Sequence, residues 1–553
     1  MQDLSYDTND PIFAWHGFHF GIQLYTFENV YGLDPQHCTE TQDIDSYTLT
    51  CTALRWGGGQ EEAAGKVEIR LQEKAGKLLV AITAQSEKTI RRVKLLLREF
   101  PIGTVVNLRE KDELPIPEQG LILSYPEGWR NLYTPLVILK TEEGHYLSLR
   151  SLDARVRAKK FVFLHRGEYL DVELIFEELA TEMGCTVSVP EWEISMYAVP
   201  EKVLQEHTAH IEQAYKLVPW EERRDVPQWA QEVSLLAAIH CQHWSGYIFN
   251  DYARVLETMR WIAERIDPRR VLVYLPGWEG RYYWQYGDYR PDPRMGGEEG
   301  FRALMQGAKE LGMPVMPMFG INVVNGAIEN YERWGAGAAF MTAGGFPSSG
   351  SVDWDGSRHH DHGWCKLLNP GAPTWQKRLV EQITSLLERY QFEGVFLDIS
   401  AAWWNDPNHP VYEGTKTLIE KIRERHPEVL IAGEGWYDGM GTATPLMQSG
   451  HTEGVLHWHD QPYEKFFTRY NRMFAHLCLG DAGRGSTGVH ELGYNPITRA
   501  PVRKGSIPTM TIVEDTLQQA PEAVMAIIED AKTYAEQFLL PTGKIVSGEE
   551  LVR

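Results

Sequence analysis

Cysteine is scarce. Six residues (Cys38, Cys51, Cys185, Cys241, Cys365 and Cys478) are scattered over 553 positions without a CxxC spacing. That excludes a disulfide framework and a zinc knuckle as the basis of the fold, and reduced thiols are expected. Positive charge is also in deficit, with 54 Lys and Arg against 76 Asp and Glu, a net charge of −22. Nucleic acid and anionic membrane surfaces are therefore not expected partners, because both are bound by positive surface. No uncharged apolar run is long enough to cross a bilayer. The first residues, MQDLSYDTNDPIF, lack the basic and apolar regions of a secretory leader, so a cytoplasmic location is expected. No GxGxxG follows a strand-like run and no HExxH occurs, so neither a dinucleotide nor a zincin-type metal is expected, nor any other cofactor. Repeats and low-complexity segments are absent too.

What is present can build more than one domain. Hydrophobic residues make up 43% of the chain, enough for sizeable cores, and 553 residues exceed one ordinary domain. Residues 1–200 carry period-two alternation. In 66–72 (KVEIRLQ), Val67, Ile69 and Leu71 alternate with polar neighbours, as a half-buried strand requires. Similar runs at 78–83, 93–100, 171–176 and 186–194, separated by turn residues, predict an antiparallel β-sandwich. A charged stretch over 201–230 predicts a helical linker ending in a Pro-marked entry to the next domain.

From 231 to 553 short apolar runs alternate with amphipathic helices. Strands are predicted at 234–241, 270–276, 313–320, 392–400, 428–436, 453–460, 478–481 and 507–513. A final helix is predicted over 521–538. Buried parallel strands spaced by helices form βα units. Eight of them over about 300 residues fit an α/β fold of the (β/α)8 TIM type, with an open doubly wound sheet as the other arrangement.

Chemistry in such barrels gathers at the C-terminal strand ends. GVFLDIS closes the fourth strand with Asp398, and VLIAGEGW closes the fifth with Glu434. Neighbouring strands lie about 4.8 Å apart. Carboxyls on adjacent strand ends can then sit about 5–5.5 Å apart, the spacing of a retaining pair around a glycosidic bond. The shorter Asp398 is the expected nucleophile and Glu434 the expected acid and base, its pKa raised by the Asp398 charge and by burial against an aromatic such as Trp436. Small Ala432 and Gly433 leave room near the Glu434 carboxylate.

GVFLD followed by AGEGW resembles the strand ends of the α-amylase superfamily and of the endo-α-N-acetylgalactosaminidase family. The segment LPGWEGRYYWQYGDYRPDPRMGGEEGFRAL is similar to the GW…PD…GG-EGF pattern of the latter and of related barrel proteins of unknown function. LLNPGAPTWQKRL resembles the Asn-Pro…Trp segment that precedes the nucleophile helix in such barrels. The resemblance covers about residues 230–460 and implies a glycoside hydrolase on an α-linked sugar, with an accessory N-terminal sandwich and an oligosaccharide or glycoside as partner. The α-amylase superfamily carries an Arg two residues before its nucleophile, where this chain has Phe396, and its strand-three Asp…Asn-His signature is missing.

Other candidates surround the pair. Aromatics are plentiful, with 18 Trp and 25 Tyr, and such rings stack on sugars as well as filling cores. Trp278, Trp403, Trp404 and Trp436 lie near strand ends, and Asp292 and Arg294 lie in the long loop after the second strand. That loop reads equally as a subsite wall or as a structural loop held by Asp–Arg pairs. His459 and Asp460 in LHWHDQP could bond substrate hydroxyls or cap the next helix. His243 and Trp244 after the first strand are of the same kind. The run SRHHDHGW at 357–364, with its His-rich core at 358–362, raises a metal-dependent hydrolase as an alternative, although adjacent loop residues do not all converge on one ion. A carbohydrate-binding protein without catalysis accounts for the tryptophans but not the acid pair. Sugar identity, anomer, exo or endo action and homo-oligomerisation are not legible in the residues.

Overall fold

The structure is a computed structural model that describes residues 11–107, 113–128, 132–242, 247–280, 285–347, 365–449, 468–475, 502–514 and 516–539. The predicted alternation produces the first domain. Among the described residues, sixteen strands between Phe13 and Ser195 join in one antiparallel network, folded in the manner of a sandwich. Val67, Ile69 and Leu71 are fully buried inside it, as their period-two spacing requires. Helix α1 (Pro200–Tyr215) follows, entered through a proline at its first position. It ends at Lys216 in the left-handed region.

The second unit is an eight-stranded, wholly parallel sheet among the described residues. Its strands are β1 (Leu235–Ile239), β2 (Val271–Leu275), β3 (Val315–Gly320), β4 (Gly394–Asp398), β5 (Leu430–Glu434), β6 (Leu446–Ser449), β7 (Arg472–Ala475) and β8 (Thr509–Ile512). The order is β7-β6-β5-β4-β3-β2-β1-β8. Met473 on β7 bonds residues 505 and 507, which lead into β8, so the sheet nearly closes on itself. Every residue of β1 to β3 is buried, because helices cover the outer face and side chains fill the inside. Tyr274 of β2 meets Phe396 of β4 at 4.6 Å and Phe474 of β7 at 5.8 Å, and its hydroxyl donates to Met318 Sδ of β3. These side chains come from opposite sides of the barrel and pack its interior.

Helices α2 (Tyr252–Ala263), α3 (Gly297–Leu311), α4 (Pro373–Tyr390) and α5 (Val411–Arg425) lie between the strands in sequence, and α6 (Pro521–Phe538) follows β8. The apolar faces read from the sequence are the buried ones: Phe301, Leu304, Met305 and Ala308 on α3, and Val524, Ile527, Ile528 and Ala531 on α6. No described helix is long and apolar enough to cross a membrane.

Two strands differ from expectation. The sixth is Leu446–Ser449, upstream of the predicted 453–460, and the seventh is Arg472–Ala475, upstream of 478–481. The predicted segments themselves lie outside the described residues. The true strands are four residues long and poor in β-branched side chains, too short to show a period. Barrel closure rather than local propensity selects them.

Candidate active site

The register of β4 and β5 pairs Phe396 with Ala432 and Leu397 with Gly433. Asp398 and Glu434 are therefore the next neighbours, side by side at the C-terminal mouth. Phe396 points into the barrel, and two residues on Asp398 faces the same way. The carboxyl of Asp398 is almost wholly buried and accepts a hydrogen bond from the Tyr286 hydroxyl at 3.1 Å. Burial pushes its pKa well above the ordinary value, and the Glu434 charge adds to the rise. The Tyr286 hydrogen bond opposes it.

The charge on Glu434 stands close enough to oppose ionisation of Asp398, so the two carboxyls do not ionise independently. The neighbouring strand ends that carry them suit the about 5–5.5 Å of a retaining pair.

The turn after β4 is built around Glu434. Ile399 N–H donates to Glu434 Oε2 at 2.9 Å, and Ser400 Oγ bridges Glu434 N and Glu434 O. Ile399 sits at φ +58°, a left-handed conformation costly for a β-branched residue. The buried Asn322 amide holds it there by donating to Ile399 O at 2.9 Å, and Ala402 N–H donates to the same oxygen. The strained turn thus aims its first N–H at the carboxylate. The room that Gly433 leaves near the Glu434 carboxylate is taken by Ser400, since a Cβ on Gly433 would lie 2.3 Å from Ser400 Oγ.

A third carboxyl belongs to this mouth. Glu279 follows β2 by way of Gly277, whose φ of +68° and close approach to Gln242 O leave no space for a Cβ. Glu279 is buried, and no other described residue offers its oxygens a hydrogen bond. Burial raises its pKa well above the ordinary range and Asp292 adds to this, while ionising Glu279 would in turn raise Asp398. In the sequence Glu279 is marked only by its place just past a strand end, and nothing marks Tyr286.

The remaining candidates are dispersed. Trp278 is fully buried between barrel and helix, its ring 4.9 Å from Phe301 and its Nε1 donating to Met318 O. Asp292 caps the short turn Pro293–Met295, pairs with Arg294 at 2.7 Å and accepts from Gln242 Nε2, the arrangement of a structural loop. Trp403 is half-buried beside Val156 and Leu179 of the first domain. Trp404 stacks on Phe340 at 4.3 Å. Trp436 does not offer an open ring beside the pair. It is fully buried, 5.5 Å from the Tyr133 ring, and the Trp436 backbone N–H donates to Gly128 O. His459, Asp460, His243, Trp244 and the 358–362 run lie outside the described residues. Among the described residues no three potential ligands gather around a metal position.

Trp436 shows what the first domain does here. It docks on the loops that follow β4 and β5. Asn405, after β4, accepts from Ala180 N and donates to Glu177 Oε1. Asp438, after β5, is fully buried and accepts from Tyr125 Oη at 2.5 Å, Thr134 Oγ1 at 2.8 Å and Gly439 N at 2.7 Å. Since Thr134 donates to Asp438, its short contact with His207 of α1 requires a proton on His207 Nε2. Burial holds His207 well below the usual imidazole range, so that ring is neutral. Burial also pushes Asp438 from 3.8 up to about 6, against the opposing hydrogen bonds.

The folded-state pKa of Asp438 is thus above its unfolded value. Its contribution is fully present below pH 3.8 and is lost as pH rises through about 6. Thr134→Val removes a donor to the ionised form, so that loss deepens. We expect it to cost about 1–3 kcal/mol in urea unfolding. The cost should be larger above about pH 6 than near pH 3.8. A pH-independent cost would mean that the hydroxyl does not serve Asp438.

No protein-family model and no curated protein sequence matches the chain. Solved structures do. The α-N-acetylgalactosaminidase NagBb from Bifidobacterium bifidum, in complex with GalNAc, superposes with a TM-score of 0.65 at 14% identity, over 96% of this chain and 91% of that one. The GH36 α-galactosidase AgaA from Geobacillus stearothermophilus, in complex with raffinose, gives 0.53 at 12% identity, over 93% and 75%. The galactosidase domain of the α-galactosidase-sucrose kinase AgaSK gives 0.50 at 14%, over 95% and 72%. At such identities the likeness is one of fold: this chain shares with these proteins a (β/α)8 barrel carrying an N-terminal β domain.

Proposed function

We propose that the chain is a retaining glycoside hydrolase acting on an α-linked sugar, with Asp398 as nucleophile and Glu434 as acid and base. The observation that carries this reading is the interacting carboxyl pair on adjacent strand ends at the barrel mouth. Neighbouring strand ends suit the about 5–5.5 Å of a retaining pair rather than the about 6.5–9.5 Å across which an inverting pair holds its water. In the first step Asp398 Oδ attacks the anomeric carbon while Glu434 gives its proton to the glycosidic oxygen, which leaves as an alcohol. In the second, Glu434 takes a proton from water as that water displaces Asp398 from the glycosyl ester. Tyr286 O–H steadies the Asp398 carboxylate before the first step and after the second, and the Ile399 N–H orients Glu434.

The structural relatives are named for α-linked N-acetylgalactosamine and galactose, so aryl α-glycosides of these two sugars are the first substrates to test. Trp403, Trp404, Asp292, Arg294, His459 and Asp460 are the candidate substrate contacts, while the burial of Trp278 and Trp436 assigns those two rings to packing. The test is a screen of aryl α- and β-glycosides, with the first-formed anomer followed by proton NMR. Turnover of an α-glycoside should release the α-sugar first and survive chelation. Release of the β-sugar would overturn the mechanism, turnover abolished by chelation would favour a metal-dependent hydrolase, and binding without product would favour a carbohydrate-binding protein.

A further inference from the structure

Two of the scarce cysteines meet in the first domain. Cys38 opens the strand Cys38–Gln42, and Cys51 lies within Ser46–Trp56, directly opposite in the antiparallel register. Both Sγ atoms approach one carbonyl, Asp34 O, at 3.3 and 3.5 Å. Directly opposed antiparallel residues have Cα atoms about 4.5–5.5 Å apart. That falls within the about 4.4–6.8 Å window of a disulfide, so side-chain rotation suffices to close the bond. Access is unequal: Cys38 is half-buried and Cys51 is sealed in the core. The strand 38–42 is exposed beyond its first residue and pairs, among the described residues, with Ser46–Trp56 alone.

We propose that Cys38 and Cys51 form a reversible dithiol–disulfide site, oxidised by a low-molecular-weight disulfide such as glutathione disulfide. Cys38 meets the oxidant. Its sulfur attacks one glutathione sulfur, the glutathione S–S bond breaks, and the departing thiolate takes up the Cys38 proton through solvent. Cys51 then attacks the Cys38 sulfur of the mixed disulfide, the second glutathione leaves with the Cys51 proton, and the cross-strand bond is made. Two protein thiols are oxidised, and one glutathione disulfide is reduced to two thiols. The two thiols titrate as a pair, one pushed up and the other down to about 7, so one thiolate is shared between the two sulfurs. The product staples an edge strand that has one neighbour.

The test equilibrates the full chain with oxidised and reduced glutathione, blocks free thiols in denaturant and maps the peptides. Glu40, Asp43 and Asp45 lie between the cysteines, so cleavage at acidic residues leaves two fragments joined only by the bond. The expected result is loss of two hydrogens, joined fragments carrying Cys38 and Cys51, and reversal by dithiothreitol. Exposed Cys185 should take only a glutathione adduct. Cys51→Ser and Cys51→Ala should each trap the adduct on Cys38. The proposal is overturned if the unaltered chain keeps both thiols open to blocking under oxidising conditions, if Cys38 stops at the adduct while Cys51 is present, or if Cys38 joins Cys185 instead.

Discussion

Asp398→Asn is expected to abolish turnover and to stabilise the protein at the same time. The amide cannot attack an anomeric carbon, so kcat should fall on the order of 10⁴-fold or more, as for other nucleophile replacements. Stability moves the other way because the folded-state pKa of Asp398 lies well above its unfolded value of 3.8. A group raised in this way supports the fold fully below its unfolded pKa, and that support is lost as pH rises through the folded one. The neutral amide has nothing to lose. The variant should therefore match the parent near pH 3.8 and exceed it increasingly at higher pH. A rise in thermal midpoint on the order of 2–4 °C is expected near neutrality. Thermal scans across pH, beside activity on the best glycoside from the screen, check both halves. An active variant removes Asp398 from the mechanism, and a variant destabilised at every pH removes the account of its buried charge.

Glu434→Gln is expected to divide substrates by leaving group. A sugar leaving group needs a proton on its oxygen, and loss of general acid catalysis should cost about 10²–10⁴-fold in kcat. An activated phenolate needs no proton, so it should still depart from Asp398 in the first step. The second step lacks its base, so the glycosyl ester should accumulate. The signature is a burst of phenolate followed by a slow steady state. The amide oxygen still accepts from Ile399 N–H, so the turn after β4 should survive. Uniform slowing of all substrates, or no burst, would count against Glu434 as acid and base. In the same variant the pH–rate profile should lose the limb that belongs to the general acid.

Stability gained by removing one buried acid also bears on Glu279, which no described donor meets and which burial keeps neutral. Three carboxyls share the mouth, and each raises the cost of ionising the others. With Glu279 neutral, the charge of the site is confined to the pair that does the chemistry.

Much of this was legible in the residues. Val67, Ile69 and Leu71 announced a strand by alternation, and Leu304, Met305 and Ala308 announced a helix face, because period is a local property of the chain. Asp398 and Glu434 stood at the ends of two runs whose parallel pairing follows from the βα repeat. Strands six and seven were not legible, since Leu446–Ser449 and Arg472–Ala475 carry too few residues to show a period. Trp436 misled for a different reason. Its closeness in sequence to Glu434 said nothing about the first domain, which buries its ring under Tyr133.

By itself the sequence determined the α/β architecture after residue 230, the β domain before it and two acids at adjacent strand ends. The tertiary structure alone decided that the charge of one acid opposes ionisation of the other, that Tyr286 reaches Asp398 from 112 residues away, and that Thr134 holds Asp438 across 304 residues. The division has one physical cause. Periodicity and strand ends are set by neighbours along the chain, whereas burial, the interaction of two acids and a strained turn at Ile399 are set by whatever distant segments the closed barrel and its docked β domain bring together.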